Sequence, residues 1–192
     1  MKQNTITMDL ENKEFLNQPT VRFDFNNPPM DPLELVEELK DMMIRSKGVG
    51  LSANQVGLPY RVFVMGNPGD RDSIIPVFNP NITNYSDETE YGEEGCLSFP
   101  GLYVQIKRHK EIRARMMMVD GETDTARFTG YTARLFQHEF DHMEGMDFRK
   151  RATRFHWDRA VKNMKLLQRK RKRNNVEFPS PLIKSPMRPA TA

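Results

Sequence analysis

The sequence predicts an α+β domain in which antiparallel β-strands pack around a central helix. Three observations lead there. Five short strand-like segments follow one another between residues 61 and 128, joined by turn signals. Helical patterns flank that region, at residues 31–47 and in the stretch that ends before Gly145. No segment repeats, which excludes a solenoid.

The elements follow in chain order. Residues 1–25 read as irregular, with at most a short edge strand, and Asn26-Asn27-Pro28-Pro29 is punctuation. Asp31-Pro32-Leu33-Glu34 starts a helix: an Asx cap, proline at the first helical position, and an acid in the first turn. Leu35, Val36, Leu39, Met42 and Met43 give that helix one apolar face, and Lys47-Gly48 should end it. Residues 48–55 form a glycine-hinged turn. Residues 61–65 and 76–79 read as strands, and 93–101 as a short turn-rich connection. Strands at 103–106 and 111–119 precede a turn at Asp120-Gly121-Glu122, and 126–128 completes another antiparallel strand. Thr129 or Thr132 should cap the next helix and Gly145 should stop it. A further helix runs from about 155 to 169 on a stripe of Trp157, Val161, Met164 and Leu166 or Leu167. The tail beyond Arg173 holds four prolines and reads as disordered or draped. The chain thus divides into a catalytic domain, 1–150, and a basic C-terminal helix with a proline-containing tail, 151–192.

Composition narrows the function. Charged residues make up 29% of the chain and hydrophobic ones 38%, as in a soluble globular protein. No apolar run is long enough to cross a bilayer, so no membrane partner is expected. The first fifteen residues lack an apolar core and carry Asp9, Glu11 and Glu14, unlike a secretory signal or a transit peptide. Cys96 is the only cysteine, which suits a reducing compartment. A cytoplasmic protein is expected. The net charge of +3 is uneven, with Arg169-Lys170-Arg171-Lys172-Arg173 at its densest.

The chemistry centres on Gln137-His138-Glu139-Phe140-Asp141-His142. Two histidines four residues apart on a helix share a face, within reach of one metal ion. Glu139 is placed to move protons for a metal-bound water. A catalytic metal needs a third ligand. Residues 143–147 contain no histidine, His156 fits no ligand pattern, and His109 reads as a surface residue. Cys96 is the better candidate, in Glu94-Gly95-Cys96-Leu97-Ser98, where Gly95 permits a tight backbone. A metal-dependent hydrolase follows.

Residues 48–55, 94–98 and 137–142 resemble, in the same order, the three motifs of peptide deformylases, and the likeness spans about residues 20 to 148. Ser52 stands where the first motif usually has alanine. The resemblance implies one metal held by Cys96, His138 and His142, with water in the fourth position. It implies hydrolysis of the formyl group of N-formylmethionine on nascent polypeptides, a step of N-terminal methionine processing in protein biosynthesis that releases formate. Glu139 would be general base and then general acid. The Gln55 side chain and the Leu97 backbone N–H would stabilise the oxyanion. Gly50 would contact the bound peptide.

For the methionine side chain, Val49 is a pocket candidate by motif. Tyr131 and Leu135, seven and three residues before His138, share the histidine face. Arg134 lies on that face too, its stem lining the pocket and its head snorkelling to water. Glu94 would orient a ligand, and Asp141 would pair with a strand arginine or face solvent. Deformylases generally use Fe(II); Zn(II), Ni(II) or Co(II) suit the same ligands in purified protein. The basic stretch 162–173 is either a solvated face or a contact for ribosomal RNA. Two other functions fit parts of the pattern: a His-Glu-x-x-His metallopeptidase, and a non-catalytic RNA-binding protein with a structural metal site.

Overall fold

The computed structural model describes residues 13–173. Among them are a five-stranded sheet, a two-stranded hairpin and a helix lodged between the two. The chain enters through a short helix α1 (Lys13–Leu16) and an isolated parallel bridge between Val21 and Tyr60. The segment expected to be irregular therefore holds one turn of helix and one bridge; residues 1–12 lie outside the described residues.

Helix α2 (Pro32–Arg45) begins as predicted. The Asp31 carboxylate accepts from the backbone N–H groups of Leu33 and Glu34 at 2.8 and 3.1 Å. Its five predicted apolar positions are all buried. They pack on β1 (Gly50–Ser52) and β2 (Val62–Met65), with Phe23, Val56 and Phe78 completing one core cluster.

The sheet continues through β3 (Ile75–Tyr85), β6 (Glu111–Met117) and β7 (Thr123–Thr129), in the order β1-β2-β3-β6-β7, and every pairing is antiparallel. The strand expected at 76–79 is only the start of an eleven-residue strand. Its register slips between Phe78 and Asn81, where Asn79 adopts φ 48°. The bulge turns the Asn79 amide onto the Phe23 backbone, donating to its carbonyl at 2.9 Å and accepting from its N–H at 2.8 Å.

The segment 93–101 is not a loose connection. It spans the turn of a hairpin, β4 (Thr89–Cys96) and β5 (Phe99–His109), paired from Thr89↔His109 to Cys96↔Phe99. The pairing escaped the apolar pattern because Gly92 and Glu94 occupy buried or half-buried positions on β4.

Helix α3 (Gly130–Met143) lies against the sheet through Ala133, Leu135, Phe136 and Met143, which join Phe63, Val77, Ile112 and Met116 in a second cluster. Thr129 is its N-cap residue without a side-chain cap bond; Thr132 instead donates its hydroxyl to the Thr129 carbonyl at 2.8 Å. Gly145 ends the helix with φ 63°, and a β-carbon there would sit 2.6 Å from the Asn17 carbonyl oxygen.

After α4 (Phe148–Arg151), helix α5 (Arg154–Arg173) lays Trp157, Ala160, Val161 and Met164 on Leu102, Val104 and Ile106 of β5, a third cluster. Leu166 and Leu167, one of them expected to continue the stripe, are both exposed, and the stripe ends at Met164. No helix among the described residues is long and apolar enough to cross a membrane. The proline-containing tail lies outside the described residues.

Candidate metal centre

Two elements bring three side chains to one point. β4 ends at Cys96, and α3 presents His138 and His142 one turn apart, both buried. The Cys96 Sγ lies 3.3 Å from His142 Nε2, and the three potential ligand atoms are all within 4.8 Å of one another. No fourth Cys, His, Asp or Glu joins the group among the described residues. A closed structural site would need one; a catalytic site needs three and an open position.

The electrostatics favour a thiolate at Cys96, while the two imidazoles must give up protons to bind a metal. Burial raises a thiol, but the charge of His142 and hydrogen bonds from His138 and His142 outweigh it, and the Cys96 pKa falls to about 5. Burial disfavours a charged imidazole, yet Cys96 and Glu94 hold His138 well above its ordinary value. Cys96 likewise raises His142. His138 Nδ1 lies 3.0 Å from Glu94 Oε2. Despite its burial, Glu94 is held far below the usual carboxylate range by His138 and Arg108. An ionised carboxylate only accepts, so Nδ1 carries the proton and Nε2 is left to bind a metal. His142 Nδ1 and Glu139 Oε2 are buried with no hydrogen-bond partner among the described residues. A sulfur, two imidazole nitrogens and an unpartnered carboxylate oxygen fit a divalent transition ion and its solvent.

Glu139 is buried on α3 beside His138. Burial pushes its pKa up to about 7, against the pull of both histidines. The strand beside it carries Gly50 for a steric reason: a β-carbon there would lie 2.3 Å from Glu139 Oε1. Gln55 follows β1 in a single 3₁₀ turn, Ala53–Val56. Its carbonyl accepts from the Ser52 N–H and hydroxyl, both at 3.0 Å, so its amide nitrogen faces Ser98 Oγ at 3.0 Å and Cys96 Sγ at 3.5 Å. Ser52, where alanine is usual, thus adds a hydroxyl bond to the Gln55 carbonyl. The Leu97 side chain packs over Gly48.

Beside these groups lies a cleft of about 490 Å³ lined by Val49, Gly50, Leu97, Tyr131, Leu135 and the Arg134 side chain, among others. Leu135 is buried, whereas Tyr131 is 64% exposed at the rim. The head of Arg134 does not snorkel. It is buried, 2.9 Å from Glu94 Oε1, and donates to the Ile106 and Glu90 carbonyls at 3.0 Å each.

Of the two readings of Asp141, the ion pair holds: Arg108 of β5 lies 2.5 Å away and Arg151 of α4 2.6 Å. The strand arginine expected opposite Asp141 is Arg108, whose inward position follows from β5, where Leu102, Val104, Ile106 and Arg108 alternate inward. His109, expected at the surface, is half-buried, with Nδ1 2.6 Å from the Ser86 carbonyl oxygen. His156 meets the Tyr91 ring edge-on, with centroids 5.0 Å apart, and is not among the converging ligand residues.

Comparison with known proteins identifies the family. A family model described as Polypeptide deformylase matches residues 8–156. Peptide deformylase of Thermotoga neapolitana is 46% identical over 113 residues, covering 58% of this chain and 66% of that protein. The Thermotoga petrophila enzyme is 43% identical over 132 residues, covering 67% and 74%. The crystal structure of a plant peptide deformylase, PDF1B, superposes with a TM-score of 0.75 at 30% identity, covering 92% of this chain and 95% of the plant one. The chain belongs to the peptide deformylase family, metal-dependent hydrolases that remove the N-formyl group from nascent polypeptides.

Proposed function

We propose that Cys96, His138 and His142 hold the divalent metal with which this chain hydrolyses N-formylmethionyl peptides, and that Glu139 moves the protons. The observation that carries this is the convergence of one sulfur and two imidazoles within 4.8 Å of one another, beside a buried carboxylate with an unpartnered oxygen. Bound there, the ion would supply Lewis acidity and acidify water at neutral pH. Glu139, whose burial favours the protonated form, accepts a proton at Oε2 and returns it to the departing amine. The Gln55 amide and the Leu97 backbone N–H donate to the oxyanion that forms on the formyl carbon's oxygen. Ser52 keeps the Gln55 donor aimed by holding its carbonyl. Val49, Gly50, Leu135 and Tyr131 receive the methionine and the start of the peptide.

Fe(II) is the ion assigned in the cell, with Zn(II), Ni(II) or Co(II) able to replace it after purification. Full activity in air, highest with zinc, would reverse that assignment. The single cysteine supports a cytoplasmic location, which cell fractionation tests. Residues 151–192 act as a basic appendage to the catalytic domain, and the charges of 162–173 serve to approach ribosomal RNA. Removing residues 162–192 should weaken co-sedimentation with ribosomes at low salt; unchanged co-sedimentation would count against it. The decisive test is formate release from formyl-Met-Ala by anaerobically prepared protein, with Glu139→Ala as control. Cleavage of an unformylated peptide instead would identify a metallopeptidase.

A further inference from the structure

The Glu94 carboxylate has every acceptor direction occupied. Oε1 accepts from Arg108 Nε and Arg134 Nη1, both at 2.9 Å. Oε2 accepts from Arg108 Nη2 at 2.9 Å and from His138 Nδ1 at 3.0 Å. Arg108 shares the hairpin with Glu94. Arg134 comes from α3, one turn before His138, and its guanidinium also bonds the Glu90 carbonyl of β4 and the Ile106 carbonyl of β5. It therefore clamps the hairpin that bears Cys96 to the helix that bears both histidines. Space for it exists because residue 92 lacks a side chain: a β-carbon on Gly92 would lie 2.6 Å from Arg134 Cζ.

We propose that Arg134 is a positioning residue for the metal centre. It fixes the Glu94 carboxylate that orients His138 and locks the two ligand-bearing elements in register, and Gly92 is the gap that admits it. This rests on the assignment of Cys96, His138 and His142 as ligands. A merely structural arginine, or one that only walls the cleft, would alter stability or KM and leave metal affinity alone.

The test measures anaerobic Co(II) binding by chelator competition, together with the thiolate-to-cobalt charge-transfer and visible bands. Arg134→Lys keeps the charge but cannot bridge Glu94 and two carbonyls at once. Arg134→Lys and Gly92→Ala should each weaken Co(II) binding by about 10–100-fold, the usual cost of losing an outer-shell partner, with shifted bands. Gly92→Ala made on Arg134→Met should add nothing further. Gly92→Ala keeps the arginine, so it reads positioning even where the arginine variants lose the fold. Wild-type affinity and bands in folded Arg134→Lys and Gly92→Ala would overturn the proposal. Persistence of the charge-transfer band in Cys96→Ser would overturn the ligand assignment itself, and the proposal with it.

Discussion

Gly50→Ala is the sharpest perturbation the site offers. A β-carbon at residue 50 would stand 2.3 Å from Glu139 Oε1, 2.8 Å from its Cδ and 3.0 Å from Leu135 Cδ1. Ordinary contact begins near 3.4 Å, so the carboxylate must retreat by about 1 Å, and a displacement of that size costs on the order of 100-fold in rate. Glu139 is not one of the assigned ligands, so Co(II) affinity should stay within about twofold, the scatter expected where no ligand contact is lost. Gly50 has no positive φ, so alanine brings no backbone strain. The assay is formate release from formyl-Met-Ala, run on Gly50→Ala, Glu139→Ala and the double variant. Once Glu139 is alanine the closest obstacle is gone and only Leu135 Cδ1, the end of a flexible side chain at 3.0 Å, remains, so Gly50→Ala should cost far less. Wild-type kcat in Gly50→Ala would refute the steric argument. An equal further loss in the Glu139→Ala background would show that alanine at residue 50 acts through the bound peptide that Gly50 touches, and not through Glu139.

Three other outcomes are expected. Gln55→Leu should lower kcat by about 100- to 1000-fold with a much smaller change in KM, since an oxyanion donor acts in the transition state; a change confined to KM would place Gln55 in ground-state binding. The metal-free site holds a thiolate beside two imidazoles of raised pKa. Metal uptake near neutral pH should therefore release protons from the histidines, and affinity should rise with pH; calorimetry in buffers of different ionisation enthalpy would show no release if the imidazoles were already neutral. Glu139 is raised to about 7 from 4.5, so its contribution to metal-free stability is intact below about pH 4.5 and is lost as pH rises to about 7. Glu139→Gln should gain on the wild type across that window by on the order of 3 kcal/mol; a urea-unfolding difference that does not vary with pH would contradict this.

The histidine pair was legible because 3.6-residue periodicity puts residues four apart on one face, and α2 because Asp31, Pro32 and its apolar stripe all agree. Cys96 was legible through its neighbours Gly95 and Glu94. The hairpin was not, because its inward positions are Gly92 and Glu94, whose burial makes sense only once Arg134 and Arg108 arrive from distant segments. The length of β3 was hidden by its asparagines and proline, which the bulge at Asn79 accommodates. The closeness of Gly50 to Glu139 was not legible, because it arises only when the helix bearing Glu139 packs on β1. Local pattern carries the elements, and long-range pairing of polar groups carries what it missed.

The sulfur at 96 and the imidazoles at 138 and 142 belong to stretches separated by some forty positions of chain. An ion gripped by all three is therefore also a rivet through the fold, adding to its resistance to unfolding in proportion to how far free ion exceeds the dissociation constant. Chelation would remove more than catalysis. It would remove one of the ties between the hairpin and the helix and leave the Glu94–Arg134 and Arg108–Asp141 contacts to hold that seam, so scarcity of metal would let the chain open to proteases more often where it ceases to work.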